Sequence, residues 1–275
     1  MNIRASLTAL ALTAALSAPM ASAEIWSNTE VQLQAGGEFE HGFGQQSTGT
    51  ITTFQHAGGW EYGDNFFFVD HSQYSGKNGV ADSAEFYGEW YSNFSLSAMT
   101  GADVSFWGVK DVGLVAGFNY APEVDSSWVL PGVTFALDLP GFAFATLNVS
   151  AFMHLSGADE SYYQDFNSPF KIIDEDTSFM VDLAWAMPFK LGSTSWSFEG
   201  HLEYIDGRTQ RNNFGTDELE SWILFQPQVR LDVGELIGTP SNRLFAGIEY
   251  QYWKNKLGMK GVDDNTVQFL AVWRF

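Results

Sequence analysis

Residues 195–204 read SWSFEGHLEY, and the order of these ten side chains decides the fold. Trp196, Phe198, Gly200, Leu202 and Tyr204 fall on one face of an extended chain; Ser195, Ser197, Glu199, His201 and Glu203 fall on the other. A period of two with every charge on one side predicts a strand between an apolar and a polar environment, not a helix with its 3.6-residue spacing.

The pattern returns along the chain. In 142–155, Ala143, Ala145, Leu147, Val149, Ala151, Met153 and Leu155 share a face opposite Thr146, Asn148, Ser150 and His154, with Phe142, Phe144 and Phe152 mixed into the polar side. Segments 179–187, 244–252 and 267–275 repeat it. Weaker versions at 30–40, 50–56, 64–70, 85–91, 112–120, 128–138 and 221–231 bring the expectation to twelve strands.

Alternation is shared by soluble sandwiches and membrane barrels. Length separates them, because a tilted membrane strand needs about 9 to 11 residues whereas ordinary strands average five or six. Aromatics gather at strand ends, as in Tyr250, Tyr252 and Trp253, which suits interfacial girdles. The chain stops at Phe275, the last outward residue of the series Val267, Phe269, Ala271, Trp273, Phe275, so this end is expected to be read by the barrel assembly machinery. The expected fold is therefore all-β, a transmembrane antiparallel β-barrel of about twelve strands.

Composition agrees. With 13 Lys plus Arg against 33 Asp plus Glu, the net charge of -20 excludes a nucleic-acid binder, which needs clustered cations. Hydrophobic residues at 45% argue against disorder, and the absence of Cys excludes disulfide and zinc-finger scaffolds. Residues 1–23 read as a cleaved secretory signal, with Arg4, an apolar run from Ala5 to Ala18 and Ala21-Ser22-Ala23 before Glu24. That leaves 24–275 as one barrel exported to the outer membrane.

Connections alternate in length. Residues 139–141 and 188–194 are short, as in periplasmic turns, while 156–176 and 206–218 are long and polar, as in outer loops. The first long loop carries Asp159, Glu160, Asp165, Asp174, Glu175 and Asp176 against Lys171; without calcium-loop spacing it reads as a solvated surface loop. Residues 92–110 break the rule, being long where a short turn is expected.

Charges on a membrane strand belong in the lumen. This phasing points Asp64, Phe66, Phe68 and Asp70 inward, together with Glu85, Tyr87, Glu89 and Tyr91, and leaves Phe86 and Trp90 to lipid. Rings can stack on flat heterocycles, and carboxylates accept hydrogen bonds from sugar hydroxyls or base amino groups. Filling of a narrow barrel explains Phe66 and Phe68 equally well.

Catalytic patterns are absent: no GxSxG, HExxH or phosphate loop occurs. Ser150 and His154 share a face but stand about 13 Å apart along a strand, leaving only a cross-strand pair open to an enzyme. No catalytic residue, metal or cofactor is expected.

Five stretches carry a family resemblance: EYGDNFFFVD (61–70), FYGEWYSNFSLS (86–97), VKDVGLVAGFNYA (109–121), FAGIEYQYWKNKLG (245–258) and VQFLAVWRF (267–275). With them the chain resembles the nucleoside-specific channel-forming, Tsx-like family of Gram-negative outer membranes, in particular its OmpK-type branch. The resemblance implies a monomeric twelve-stranded barrel whose narrow lumen holds successive weak nucleoside sites, and outer loops that in some members serve as bacteriophage receptors. Phe66, Phe68, Asp70, Glu85, Tyr87 and Glu89 lie inside matching blocks and are the first candidate contacts. Glu199, Glu203, Arg230 and Arg274 join them on inward phasing alone. The rival expectations are a surface structural protein or phage receptor without specific transport, and an outer-membrane hydrolase.

Overall fold

The computed structural model of the chain describes residues 25–41, 45–77 and 81–275. The expected leader, 1–23, lies outside the described residues.

Twelve antiparallel strands close into one barrel: β1 (Trp26–Glu40), β2 (Gln46–Trp60), β3 (Gly63–Gly76), β4 (Ser83–Ser95), β5 (Val109–Ala121), β6 (Ser126–Leu137), β7 (Phe144–Ser156), β9 (Ser178–Leu191), β10 (Thr194–Ile205), β13 (Trp222–Asp232), β14 (Leu244–Lys254) and β15 (Asp264–Arg274). Each overlaps one of the twelve stretches expected from the alternation, with ends that differ by one or two residues at 138, 142–143, 221 and 275. The last strand closes on the first, with Glu30 opposite Arg274 and Gly36 opposite Gln268.

The inside-outside assignment follows the residue pattern. In β15, Asp264, Thr266, Gln268, Leu270 and Val272 are buried, whereas Val267, Phe269 and Trp273 are 61%, 79% and 50% exposed. Phe86 and Trp90 also face outward, as phased from their neighbours. An apolar exterior around a polar interior inverts a soluble protein, and lipid is the solvent that such a surface requires. Among the described residues no helix is long and apolar enough to cross a membrane, so the crossing belongs to the strands.

The two long polar loops are not simply solvated. They supply β8 (Ile172–Glu175), β11 (Arg208–Asn212) and β12 (Gly215–Leu219), which form a separate three-stranded sheet at the end of the barrel away from the termini. Ile172 belongs to an apolar cluster with Trp128, Phe152 and Trp222. Glu175 is held from both sides: Arg208 donates from Nε and Nη2 at 2.8 and 3.3 Å, Trp128 Nε1 donates at 2.7 Å and Gln210 Nε2 at 2.6 Å. The Arg208 guanidinium sits 4.7 Å from the ring centroids of both Phe152 and Trp222. Asn213, fully buried, donates to the carbonyls of Asp165 and Pro169 and so fixes the first loop against the second.

Connection length also departs from the expected rule. At the termini end, residues 96–108 between β4 and β5 and 233–243 between β13 and β14 are long, and at the opposite end β5 and β6 are joined by only Pro122–Val124 and Asp125. Local side chains order the longer pieces. Helix α1 (Leu96–Thr100) is capped by Ser95, which accepts from Ala98 N at 3.0 Å, and stops at Gly101 with φ 72°. Ser97 donates to Asp111 from its hydroxyl and from its backbone. Ser105 donates to Asp103 and holds that carboxyl below its ordinary range. Helix α2 (Val233–Leu236) is capped by Asp232, which accepts from Glu235 N at 3.1 Å.

A two-residue turn ends the excursion between β4 and β5. Phe106 and Val109 exchange backbone hydrogen bonds of 2.9 and 2.7 Å across Trp107 at φ 38° and Gly108 at φ 81°. Such turns favour Asn-Gly, and a bulky residue held at positive φ costs roughly 1 to 2 kcal/mol.

Glu175→Ala is expected to leave Arg208 buried and uncompensated, a loss of roughly 3 to 5 kcal/mol confined to the small sheet. Hydrogen exchange should then accelerate in 172–175 and 208–212 while the barrel strands stay protected; unchanged exchange there would contradict the anchoring role of Glu175.

Candidate functional site: the lumen

In the ring of twelve strands β3 and β10 stand six places apart, on opposite walls, and the candidate residues divide between several groups.

The first group is built on β3 and β4. Register sets Phe66 opposite Tyr91, Phe68 opposite Glu89 and Asp70 opposite Tyr87, so the inward positions of both strands interleave. Phe68 lies 6.1 Å from Phe66 and 6.1 Å from Tyr87 between ring centroids. Glu89 accepts from Tyr87 Oη at 2.5 Å, Tyr91 Oη at 2.9 Å and Asn119 Nδ2 at 2.9 Å. Gly117 makes this possible, because a Cβ there would lie 2.7 Å from the Tyr91 ring. Glu89 and Tyr91 are buried, whereas Phe66, Phe68 and Tyr87 are half-buried and present ring surface to the solvated interior.

The opposite wall continues the polar strip. Glu203 is 3.6 Å from His201 Nε2, and Asp182 on the adjoining β9 accepts from Asn148 Nδ2 at 3.2 Å. Glu203 stands directly opposite Asp182 in the register of β10 and β9, so two carboxylates lie side by side on this wall, and Glu89 on β4 belongs to the other side of the ring. The side chains of His201 and Glu203 are 31% and 12% exposed, so water reaches this wall.

The second group is ionic and dry. Arg230 on β13 reaches Glu30 on β1, Nη1 to Oε1 3.0 Å, and also lies 3.1 Å from Glu199 Oε2. Arg274 joins from β15 at 3.1 Å from Glu30 Oε2. Amides complete it: Gln55 and Gln32 donate to Glu30 at 2.7 and 2.9 Å, and Gln228 donates to Gln32 at 3.1 Å and to Glu249. The whole residues Arg230, Glu30 and Gln32 are 2%, 0% and 2% exposed, so this side of the lumen is closed to water.

The candidate residues therefore do not converge on one point. Phe66, Phe68, Tyr87 and Glu89 come together, with Glu203 facing them. Asp70 accepts from Thr53 Oγ1 at 2.5 Å, and Thr53 in turn accepts from Gln34 at 3.3 Å, which ties Asp70 toward the Gln-rich wall. Glu199, Arg230 and Arg274 form the ionic group around Glu30. Glu85 has the inward phase but is exposed at the mouth, opposite Ser72.

Tyr91, Asn119, Asp182, Glu30 and Gln228 also belong to these groups. Continuing the same alternation through Glu30, Gln32 and Gln34 identifies the β1 members; Asp182 is a single polar residue within the apolar stretch 179–187, and Asn119 directly follows the apolar stretch 112–118.

A cross-strand Ser-His contact does occur: Ser126 Oγ lies 3.3 Å from His154 Nε2, and His154 Nδ1 lies 3.4 Å from Asp174 Oδ1. Ser126 is 1% exposed and its hydroxyl lies 3.5 Å from the Ile172 carbonyl oxygen. With β8 in place no substrate carbonyl can approach that oxygen, and the contact ties β6, β7 and β8 together. Among the described residues no group of three or more His, Cys, Asp or Glu could hold a metal ion.

Arg230→Ala should leave Glu199 without its cation and Glu30 with Arg274 alone. The expected outcome is a loss of roughly 3 to 5 kcal/mol in stability, read from thermal unfolding in detergent.

Comparison with known proteins places the fold. No family model matches the chain, and no curated protein matches it. Among solved structures, an outer-membrane channel from Pseudomonas putida F1 is similar over 94% of this chain and 98% of its own, at 10% identity and TM-score 0.53. The NanC porin aligns over 89% of this chain and 100% of its own, at 9% identity and TM-score 0.47. The beta domain of the Bordetella autotransporter BrkA aligns over 90% and 98%, at 11% identity and TM-score 0.42.

Proposed function

A closed twelve-stranded barrel of the outer-membrane type is the premise from which function follows, and we propose that this one is an outer-membrane channel passing nucleosides by facilitated diffusion. The observation that carries the reading is the wall formed by β3 and β4: half-buried Phe66, Phe68 and Tyr87 beside the Glu89 carboxylate, facing Glu203 across the interior. A flat base can lie on the rings while ribose hydroxyls and amino groups donate to carboxylates. Each contact must be weak enough to release its solute, and ring-on-base stacking of about 1 to 3 kcal/mol meets that requirement. The resemblance of 61–70 and 86–97 to nucleoside channels supports the same cargo.

Charge narrows the cargo further. The ionic group satisfies its own carboxylates with Arg230 and Arg274, whereas Glu89 and Asp182 are hydrogen-bonded by neutral groups. A path along that wall disfavours phosphates and tolerates neutral or cationic solutes.

Planar-bilayer conductance with adenosine, AMP and a small sugar tests the reading. Adenosine should block current, and the double exchange Phe66→Leu, Phe68→Leu should weaken the block roughly tenfold or more while sugar flux is unchanged or faster. Glu89→Gln should relax the exclusion of AMP more than it changes the adenosine block. A wild-type current indifferent to adenosine removes nucleosides as cargo, and an equal slowing of all three solutes in the Phe variant makes those rings structural filling.

A further inference from the structure

The segment between β4 and β5 is ordered by its own side chains, yet it ends in the least protected aromatic residue of the described chain: Trp107 is 100% exposed. A positive-φ backbone presents this fully exposed indole. Phe106 beside it is 54% exposed, and Met99 on α1 is 51% exposed. The tip does not stand apart from the barrel. Gly108 accepts from Asp138 N at 2.9 Å, which ties it to the neighbouring turn between β6 and β7, where Leu139 and Phe144 are themselves exposed.

We propose that residues 96–109 form an interfacial anchor that seats Trp107 and Phe106 in the headgroup region of the inner phospholipid leaflet of the outer membrane. The occupant is lipid because the tip is hydrogen-bonded to the turn between β6 and β7 at the termini end, where the outward side chains Leu114, Val133 and Phe144 of the adjoining strands are likewise apolar and exposed. An indole, with a large apolar body and one N–H, partitions to that boundary more favourably than to either bulk water or the hydrocarbon core. The exposed Lys110, two residues beyond the turn, supplies a cation for lipid phosphate. The Ser95 cap, the Ser97 bonds to Asp111 and the Gly101 stop hold the excursion in one shape, so the tip meets the bilayer at a fixed depth. This accounts for a long connection at the end where short turns are the rule.

The inference rests on the membrane-spanning fold and is independent of the cargo. The chain has no Cys, so single nitroxide labels can be introduced at Trp107→Cys and, as a water-exposed reference, at Asp103→Cys. In full-length protein refolded into phosphatidylcholine and phosphatidylglycerol vesicles, with heat-modifiable migration confirming the fold, the label at 107 should collide with oxygen relative to a water-soluble nickel chelate at least threefold more than the label at 103. The native ring is tested by Trp107→Phe in vesicles of brominated phosphatidylcholine, where the quenched part of the emission from the ten Trp should fall by about the share of one indole. A collision ratio at 107 no higher than at 103, or unchanged quenching in the Phe variant, overturns the anchor. Adenosine block is read separately and fails or holds without reference to either result.

Discussion

Closure of β15 on β1 is the constraint on which everything else depends. In hydrocarbon an unpaired strand edge leaves its N–H and C=O groups without partners, and the cost of several such groups exceeds the whole stability of an ordinary domain. Pairing from Glu30 with Arg274 to Gly36 with Gln268 removes that edge. Once the ring is closed, the period of two leaves no freedom, since every odd or even set goes to lipid or to the lumen. The same pairing brings Glu30 beside Arg274, so the seam that closes the backbone also begins the ionic group inside.

The interior is divided because two kinds of polar packing compete for it. Burying Arg230 and Glu30 out of water is costly for each ion alone and becomes tolerable only when charge and hydrogen bonds are satisfied together. Gln32, Gln55 and Gln228 meet that need, and the amides fill the volume that water would otherwise occupy. On β3 and β4 the carboxylates are instead interleaved with rings, and on β10 Glu203 stays partly exposed beside His201. A solute seeking flat surface and acceptors finds both on this second wall, while the first wall acts as a rigid strut between β13 and β1.

Most of the barrel was legible in the residues because the alternation that makes a membrane strand is also what the eye can count. Phe86 and Trp90 outside, and Tyr87 and Glu89 inside, follow from phase alone. Depth does not: Glu85 has the right phase yet sits at the mouth. Pairing across the lumen is equally invisible, since the partner of Arg230 is Glu30, 200 residues earlier. The small sheet was missed for a different reason. Strands β8, β11 and β12 have four or five residues and no apolar-polar period; they are held by tertiary contacts such as Glu175 with Arg208 and the buried Asn213. Acidic loops rich in Asp look solvated in sequence because the Ile172 and Ile173 that dock them are only two residues.

The two ends of the barrel are finished by opposite means, and this bears on where selection can occur. Away from the termini, Ile172 and Arg208 pack against Trp128, Phe152 and Trp222, so that part of the lumen is filled by a folded sheet rather than swept by mobile loops. Phe66 packs against the same cluster. Phe66 stands opposite Tyr91, a member of that cluster, so the end of the proposed stacking wall nearer the termini shares one apolar core with Ile172 of the cap, while Phe68, Tyr87 and Glu89 lie along β3 and β4 between Phe66 and the outer mouth. On the proposed reading a solute is oriented against a surface that the cap holds still, and specificity depends on the residues beneath the cap as much as on those that touch the cargo.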